Sequence, residues 1–217
     1  VVLSYLVMTQ KEIKLFANEK AFPAEVLDTL AKDGVTLLPY DSVYEYVKTF
    51  AKDMTVLLCK QKANSRLVRN IPDEVKVLDE ENLTLLPKAI KNPVEVENER
   101  IAHIKDGVAL TKFMYWLKKN VGKIPITELS AEEKLYSFRA QQENFIDNSF
   151  DPIISYGTHA AIVHYSATPE TDIPIEPRSF LLADTGGNYY EGTTDTTRTI
   201  AMGPVTDEEK KYFTSVL

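Results

Sequence analysis

Residues 181–203 read LLADTGGNYYEGTTDTTRTIAMG and contain two aspartates, Asp184 and Asp195, separated by a segment that holds three of the chain's eight glycines. The apolar run before Asp184 predicts a strand that ends at this carboxylate. The paired glycines that follow predict a tight turn. The chain then returns as DTTRTIAM, which predicts a second strand antiparallel to the first. We therefore expect the two aspartates to lie close together at one end of a sheet.

Strand periodicity predicts that Asp195, Thr197 and Thr199 share one face of the second strand. Two carboxylates on the same face of neighbouring strands repel each other unless a positive charge lies between them. A pair of divalent metal ions resolves this repulsion, because carboxylates can bridge two ions. The hydroxyl groups of GTTDTTRT, among them that of Thr197, could then hydrogen-bond to the metal ligands. The alternative is that both aspartates are ordinary solvated residues, one in a turn and one at the start of a strand.

The composition excludes several other classes of protein. The chain of 217 residues has 25 Lys and Arg against 32 Asp and Glu, a net charge of −7, which argues against nucleic acid or an anionic membrane as partner. Cys59 is the single cysteine, so an internal disulfide is excluded and a reducing, cytoplasmic location is expected. The chain starts at Val1 without a methionine and ends at Leu217 inside a helical pattern. We therefore expect a fragment of a longer protein.

The pattern of apolar residues predicts two differently built regions, divided near 91–97. Residues 1–90 alternate short strands and helices, which predicts an incomplete α/β layer. Its predicted elements are a hairpin of SYLVMT and EIKLFAN, a helix at 23–33, the strands VTLLPY and MTVLLC, and a helix that begins at Asp41. Residues 93–217 predict an α+β region. Its predicted elements are helices at 93–121 and 127–141, the second with a capping box from Ser130, and strands AAIVHY (160–165), SFLLAD, NYY and TTRTIAM.

The histidines and the common catalytic motifs give few further candidates. His164 interrupts the apolar run AAIVHY, and such a histidine is more often a hydrogen-bonded core residue than a catalytic one. His159 lies in the preceding loop, and His103 lies in the long predicted helix. The chain contains no GxSxG, P-loop, CxxC or HExxH motif.

Taken together, SFDPIISYGTHAAIVHYSATPE and the stretch at 181–203 closely resemble aminopeptidase P, the Xaa-Pro aminopeptidases of the pita-bread metallopeptidase superfamily. The likeness lies in the HY pair, the strand-end aspartate before Gly-Gly, and the GTTD-x-TRT stretch. It extends over residues 93–217, which would form the N-terminal half of a pita-bread catalytic domain. Residues 1–90 resemble the later part of the non-catalytic α/β domain that precedes it. The segment GTHAA differs from the family, because His159 stands where asparagine or glycine is commoner.

The resemblance implies two divalent metal ions, usually manganese, held by two Asp, one His and two Glu. Asp184 would bind one ion through both oxygens, Asp195 would bridge the pair, and His164 would contact the substrate and handle its proton and oxyanion. The metal-binding His and both Glu are not in this chain. The implied reaction is release of an N-terminal residue that precedes proline, by attack of a metal-bridging hydroxide.

Two alternatives to an Xaa-Pro aminopeptidase remain open at this point. One is a prolidase, which cleaves Xaa-Pro dipeptides, and the other is a metal-free pita-bread scaffold that only binds a partner. The expected partners are Xaa-Pro peptides, the remainder of the catalytic domain and a second copy in a homodimer. The chain alone is expected to be inactive and to bind metal weakly, since it holds two of five ligands.

Overall fold

The computed structural model describes residues 2–217 and separates into two compact units, divided between Ile90 and Lys91. Together they form a mixed α/β structure of ten strands and seven α-helices over those residues. None of the helices in the described range combines the length and the apolar character needed to cross a membrane.

The first unit contains two small sheets and four short α-helices. Its strands are β1 (Ser4–Met8), β2 (Ile13–Ala17), β3 (Val35–Pro39), β4 (Thr55–Leu58) and β5 (Lys76–Asp79), and its helices are α1 (Ala24–Lys32), α2 (Val43–Tyr46), α3 (Ser65–Asn70) and α4 (Leu85–Ala89). Strand β2 lies between an antiparallel β1 and a parallel β3, while β4 and β5 pair in parallel. A core around Phe16, Val43 and Val47 holds the helices against the strands.

The predicted hairpin and the predicted helix at 23–33 are confirmed, and Gly34 ends that helix with a φ of +75°. The predicted helix from Asp41 is confirmed only in part, because its α-helical section is short and Asp41 does not cap it. The chain there forms a 3-10 turn at Tyr40–Ser42, the short α2 and a second 3-10 turn at Val47–Thr49. The Ser42 hydroxyl donates backward to the carbonyl of Pro39, at 2.6 Å, and stabilises a turn where the sequence predicted a helix start.

The second unit packs two helices against an antiparallel sheet. Its elements are α5 (Pro93–Asn120), α6 (Glu128–Arg139), β6 (Phe145–Asn148), β7 (Ile153–Tyr156), β8 (Phe180–Thr185), β9 (Gly187–Tyr189), β10 (Thr196–Ala201) and α7 (Asp207–Val216). Strand β8 lies between β7 and β10, antiparallel to both, and β6 pairs with β9. Leu181 and Ala183 on one face of β8 are fully buried in a core that includes Phe113 and Leu135 of the two helices.

Both predicted helices of this unit are confirmed, although the cap of the second is wrong. Thr127 is the N-cap of α6, and Ser130 is the third helical residue whose hydroxyl accepts from the Thr127 backbone N–H, at 2.8 Å. The strands that carry SFLLAD, NYY and TTRTIAM are confirmed, and β6 and β7 were not predicted. The tight turn predicted at Gly186 and Gly187 is wrong, because Gly187 begins β9 and the chain reverses later, at 189–192. The three-stranded sheet therefore has a buried face toward the helices and an opposite, open face.

Candidate metal centre

Asp184 lies on the open face of the sheet near the end of β8, and Asp195 immediately precedes the adjacent strand β10. The antiparallel register of β8 and β10 places Thr197 directly opposite Asp184. Asp195 precedes Thr197 by two residues and immediately precedes β10, so strand periodicity puts it on the same face as Asp184. On β8 the side chains alternate, with Ala183 and Thr185 buried and Asp184 half-buried between them. Both carboxylates are therefore free of the core.

The hydroxyl group of Thr197 orients the carboxylate of Asp184. Its Oγ1 donates to Oδ1 of Asp184, at 2.9 Å, across the two strands. This bond leaves Oδ2 and the second lone pair of Oδ1 for other partners. Thr197 thus fixes the direction in which the Asp184 carboxylate points.

The segment between the two aspartates is held tightly by its own hydrogen bonds. Thr194 Oγ1 accepts from the N–H of Gly187, and the Thr194 carbonyl accepts from the hydroxyl of Ser149, both at 2.9 Å. A Cβ at Gly186 would collide with that same carbonyl and with the Ser149 hydroxyl, so only glycine fits there. The close approach of the backbone therefore fixes the separation between the two aspartates.

A buried ion pair supports the end of β8 from the helix side. Arg139, at the end of α6, donates from Nε and Nη2 to the two oxygens of Asp106 on α5, at 2.7 and 3.2 Å. Its Nη2 also donates to Oγ1 of Thr185, the neighbour of Asp184, at 2.9 Å. Tyr189 donates its hydroxyl to Asp106, at 3.1 Å, and burial together with the Asp106 charge raises the pKa of Tyr189. The pair thus joins both helices to the strand that carries Asp184.

This ion pair was not predicted from the sequence, although the helix periodicity contains a signal for it. Asp106 lies four residues after Ala102 and three before Ala109, and all three are buried on one face of α5. Arg139 follows Leu135 by four residues on the buried face of α6. A charged residue at a core position of a helix indicates a buried partner, since an unpaired buried charge is very unfavourable.

The structure corrects the prediction of a strand at 160–165. Gly157–Ala161 form a 3-10 helix, and turns continue through His164, which is exposed and has a left-handed φ of +56°. The apolar residues Ile162 and Val163 that suggested a strand are exposed, at 53% and 83%. His164 therefore lies in a loop and not on a neighbouring strand of the sheet.

The described residues do not by themselves form a complete metal site. Within residues 2–217, no three or more His, Cys, Asp or Glu side chains form a group that could hold a metal ion. The two aspartates supply oxygen donors on one open face, which suits hard divalent ions, but they leave most coordination positions to other donors.

The chain matches two family models in succession. The model of metallopeptidase family M24 matches residues 97–217, and that of the creatinase/prolidase N-terminal domain matches residues 1–95. The chain belongs to metallopeptidase family M24. The M24 match contains the sheet, both aspartates and His164.

Similar proteins of known name agree with this family. A probable Xaa-Pro aminopeptidase P of Ajellomyces capsulatus is 35% identical over 232 residues, which cover 100% of this chain and 37% of that protein. One of Coccidioides posadasii is 36% identical over 227 residues, which cover 100% of this chain and 37% of that protein. The M24 chain thus spans a little over a third of the length of these relatives.

Solved structures resemble the M24 chain over nearly its whole length. An X-prolyl aminopeptidase from Caenorhabditis elegans, described as a cytosolic enzyme with a di-nuclear active site, has a TM-score of 0.86 and 26% identity, covering 96% of this chain and 35% of that one. An Xaa-Pro dipeptidase from Bacillus anthracis has a TM-score of 0.73 and 18% identity, covering 98% of this chain and 58% of that one. The second likeness shows a shared fold alone.

Proposed function

We propose that the protein is a metal-dependent aminopeptidase that releases an N-terminal residue preceding proline, with Asp184 and Asp195 as two of its metal ligands. The observation that supports the proposal is the hydrogen bond by which Thr197 orients Asp184, next to the strand that Asp195 immediately precedes. Family membership and the names of the similar proteins support it. The activity, substrates and partners of the whole protein are part of this proposal, since the chain spans 37% of those relatives.

The residues in hand fit part of a site for two divalent ions. A set of carboxylate oxygens suits manganese better than zinc, which prefers fewer and softer ligands. We assign the remaining ligands, one His and two Glu, to polypeptide that this sequence does not contain. When bound, the ions would lower the pKa of an attacking water and polarise the scissile carbonyl.

The chain's own residues would hold and orient the reacting groups. Asp184 and Asp195 would bind the ions, the former kept in one orientation by Thr197. His164, exposed in its loop, would contact the substrate and donate a hydrogen bond to the oxygen that becomes negative as the peptide bond breaks. Residues 93–217 would thus form the N-terminal half of the catalytic domain.

We assign residues 1–90 to the later part of a non-catalytic α/β domain, and the protein to the cytoplasm, where its single Cys59 would stay reduced. The partners of the chain would be Xaa-Pro peptides and the remainder of the catalytic domain. A second copy of the same protein, in a homodimer, would be a further partner.

The test uses the longest natural form of the protein, stripped of metal with a chelator and reloaded with manganese. We expect release of the first residue from an Xaa-Pro-Xaa tripeptide only after reloading. Asp184→Ala and Asp195→Ala should each abolish activity and lower bound manganese, whereas Asp207→Ala, an exposed aspartate at the start of α7, should change neither. Metal content is measured by elemental analysis after gel filtration.

The same assay separates the alternatives. Cleavage of an Xaa-Pro dipeptide without cleavage of the tripeptide would make the protein a prolidase. Absence of both cleavage and manganese binding would make it a scaffold and refute the proposal. The 217-residue chain alone should be inactive with manganese and gain activity when the rest of the catalytic domain is added.

A further inference from the structure

Glu128, the first residue of α6, is a fully buried carboxylate that the proposed reaction does not use. Its side chain is 0% exposed, and it lies on the buried face of α6 with Ala131 and Leu135. A buried carboxylate is stable only when hydrogen-bond donors surround it. Its position at the N-terminus of a helix also favours the negative charge.

Three donors converge on this carboxylate. The backbone N–H of Tyr156 donates to Oε1, at 2.7 Å, and the hydroxyl of Tyr165 donates to Oε2, at 3.1 Å. Nδ1 of His159 lies 3.1 and 3.0 Å from the two oxygens and donates to them in the tautomer that carries its proton on Nδ1. The rings of His159 and Tyr165 also lie against each other, with centroids 4.4 Å apart.

These donors come from both ends and the middle of one loop. Tyr156 is the last residue of β7, His159 lies in the 3-10 helix that follows, and Tyr165 ends the series of turns. One carboxylate therefore bonds to both ends and to the middle of the loop of residues 157–164, and the Tyr165 hydroxyl also contacts Oγ1 of Thr171, at 3.1 Å. His164 is the residue immediately before the closing contact.

The backbone of His164 depends on this closure. A left-handed φ of +56° is unfavourable for a residue with a Cβ and persists only where the surrounding contacts impose it. The turn is completed by the N–H of Tyr165 donating to the carbonyl of Ile162, at 3.2 Å, and the N–H of Ile162 to that of His159, at 3.0 Å. Both of these turns lie within residues 156–165, the segment whose ends and middle are bonded to Glu128.

We propose that Glu128 is a positioning residue, which holds the loop of residues 157–164 closed and thereby keeps His164 in its working conformation. This inference rests on the proposed function, because it gives His164 a role in the reaction. Glu128 acts through the loop and contacts neither the substrate nor the metal-binding aspartates. Neutralising it should leave the aspartate site unchanged and release the loop.

The experiment is a double-mutant cycle between Glu128→Gln and His164→Ala in the longest natural form of the protein, loaded with manganese. Glu128→Gln alone should lower kcat about 100-fold, as expected when a catalytic group shifts by about 1 Å. Bound manganese should be unchanged. On the His164→Ala background the same substitution should lower kcat less than about twofold, because the group it positions is already gone.

Two further variants serve as controls for folding and charge. Tyr165→Phe keeps the ring against His159 and removes one donor to Glu128, so it should fold and lower kcat about tenfold. Glu133→Gln removes an exposed carboxylate from the same helix and should leave kcat unchanged. Hydrogen exchange at residues 157–165 should be faster in Glu128→Gln and in Tyr165→Phe but not in Glu133→Gln.

The outcomes separate this inference from the proposed function. Additive losses of kcat in the cycle, or unchanged exchange at 157–165 in Glu128→Gln, would overturn the positioning role even if the protein is an aminopeptidase. An unmodified protein without Xaa-Pro activity would refute the proposed function and with it the role of His164. Exchange would still decide, in that case, whether Glu128 closes the loop.

Discussion

Replacing Arg139 by methionine should be among the most destabilising substitutions in the second unit. Arg139 and Asp106 have side-chain exposures of 0% and 3%, and the arginine donates to both oxygens of the carboxylate. Methionine fills a similar volume without the charge. Asp106 would then keep the hydroxyl of Tyr189 as its side-chain donor within the described residues.

The expected loss follows from the burial of the charge left behind. Removing one partner of a buried ion pair costs about 3–5 kcal/mol, since the other charge stays desolvated. At roughly 3–4 °C per kcal/mol for a unit of this size, the thermal midpoint should fall by about 10–20 °C. The lost hydrogen bond to Thr185 adds to the same change.

An exposed arginine of similar geometry provides the matched control. Arg178 donates from Nε to Oε2 of Glu176, at the same 2.7 Å, but the two side chains are 69% and 50% exposed. An exposed pair contributes about 0–1 kcal/mol, so Arg178→Met should have a small effect. The measurements are thermal unfolding and urea unfolding, each followed by the fluorescence of Trp116, the single tryptophan of the chain, which packs against the core of this unit.

A second variant tests the cause of the loss. Arg139→Met combined with Asp106→Leu removes both charges and should recover most of the stability. Two apolar side chains of similar volume then replace the desolvated ion pair. Equal shifts for Arg139→Met and Arg178→Met would refute the argument from burial. A double variant no more stable than Arg139→Met would refute the argument from the unpaired charge.

Three further predictions concern the open face and the helix surface. His164→Ala in the full-length protein should lower kcat about 100-fold with metal content unchanged, and loss of metal would show that its assignment is wrong. Thr197→Val should weaken manganese binding about tenfold, measured by titration, whereas Thr199→Val on the same face should not. Burial, and then the charge of Asp151, raise the pKa of Glu132 above its ordinary 4.5, so its ionised form lowers the stability of the fold. Glu132→Gln should therefore raise the thermal midpoint at pH 7, and this gain should disappear as the pH falls below 4.5; a gain that persists in acid would contradict the assignment.

The strands that carry the two aspartates could be predicted because their signals are local. The Gly-Gly pair does not form the predicted turn, because the segment between the two strands instead forms β9, which pairs with the distant β6. The apolar run that ends at Asp184 and the alternating return strand after Asp195 are nevertheless both visible within one short stretch. Local patterns of this kind determine local structure.

The loop that carries His164 could not be predicted in this way, because distant residues determine its structure. The composition of AAIVHY is typical of a strand, but His159 and Tyr165 bond instead to Glu128, which lies some thirty positions earlier in the chain. Strand propensity is weak against such a set of buried hydrogen bonds. The pair of Arg139 and Asp106 was missed for a similar reason, since its members lie on different helices.

The tight packing around Gly186 has a consequence for sequence variation at this position. Every single-base change of a glycine codon that alters the amino acid introduces a side chain with a Cβ, and here that carbon would collide with the Thr194 carbonyl and the Ser149 hydroxyl. In a deep mutational scan, position 186 should therefore tolerate none of the accessible replacements, although it has no side chain to contact a ligand. Gly107, by contrast, has open space around its Cβ position and should accept alanine freely. Intolerance to substitution would thus mark Gly186 as clearly as a catalytic residue, through backbone packing alone.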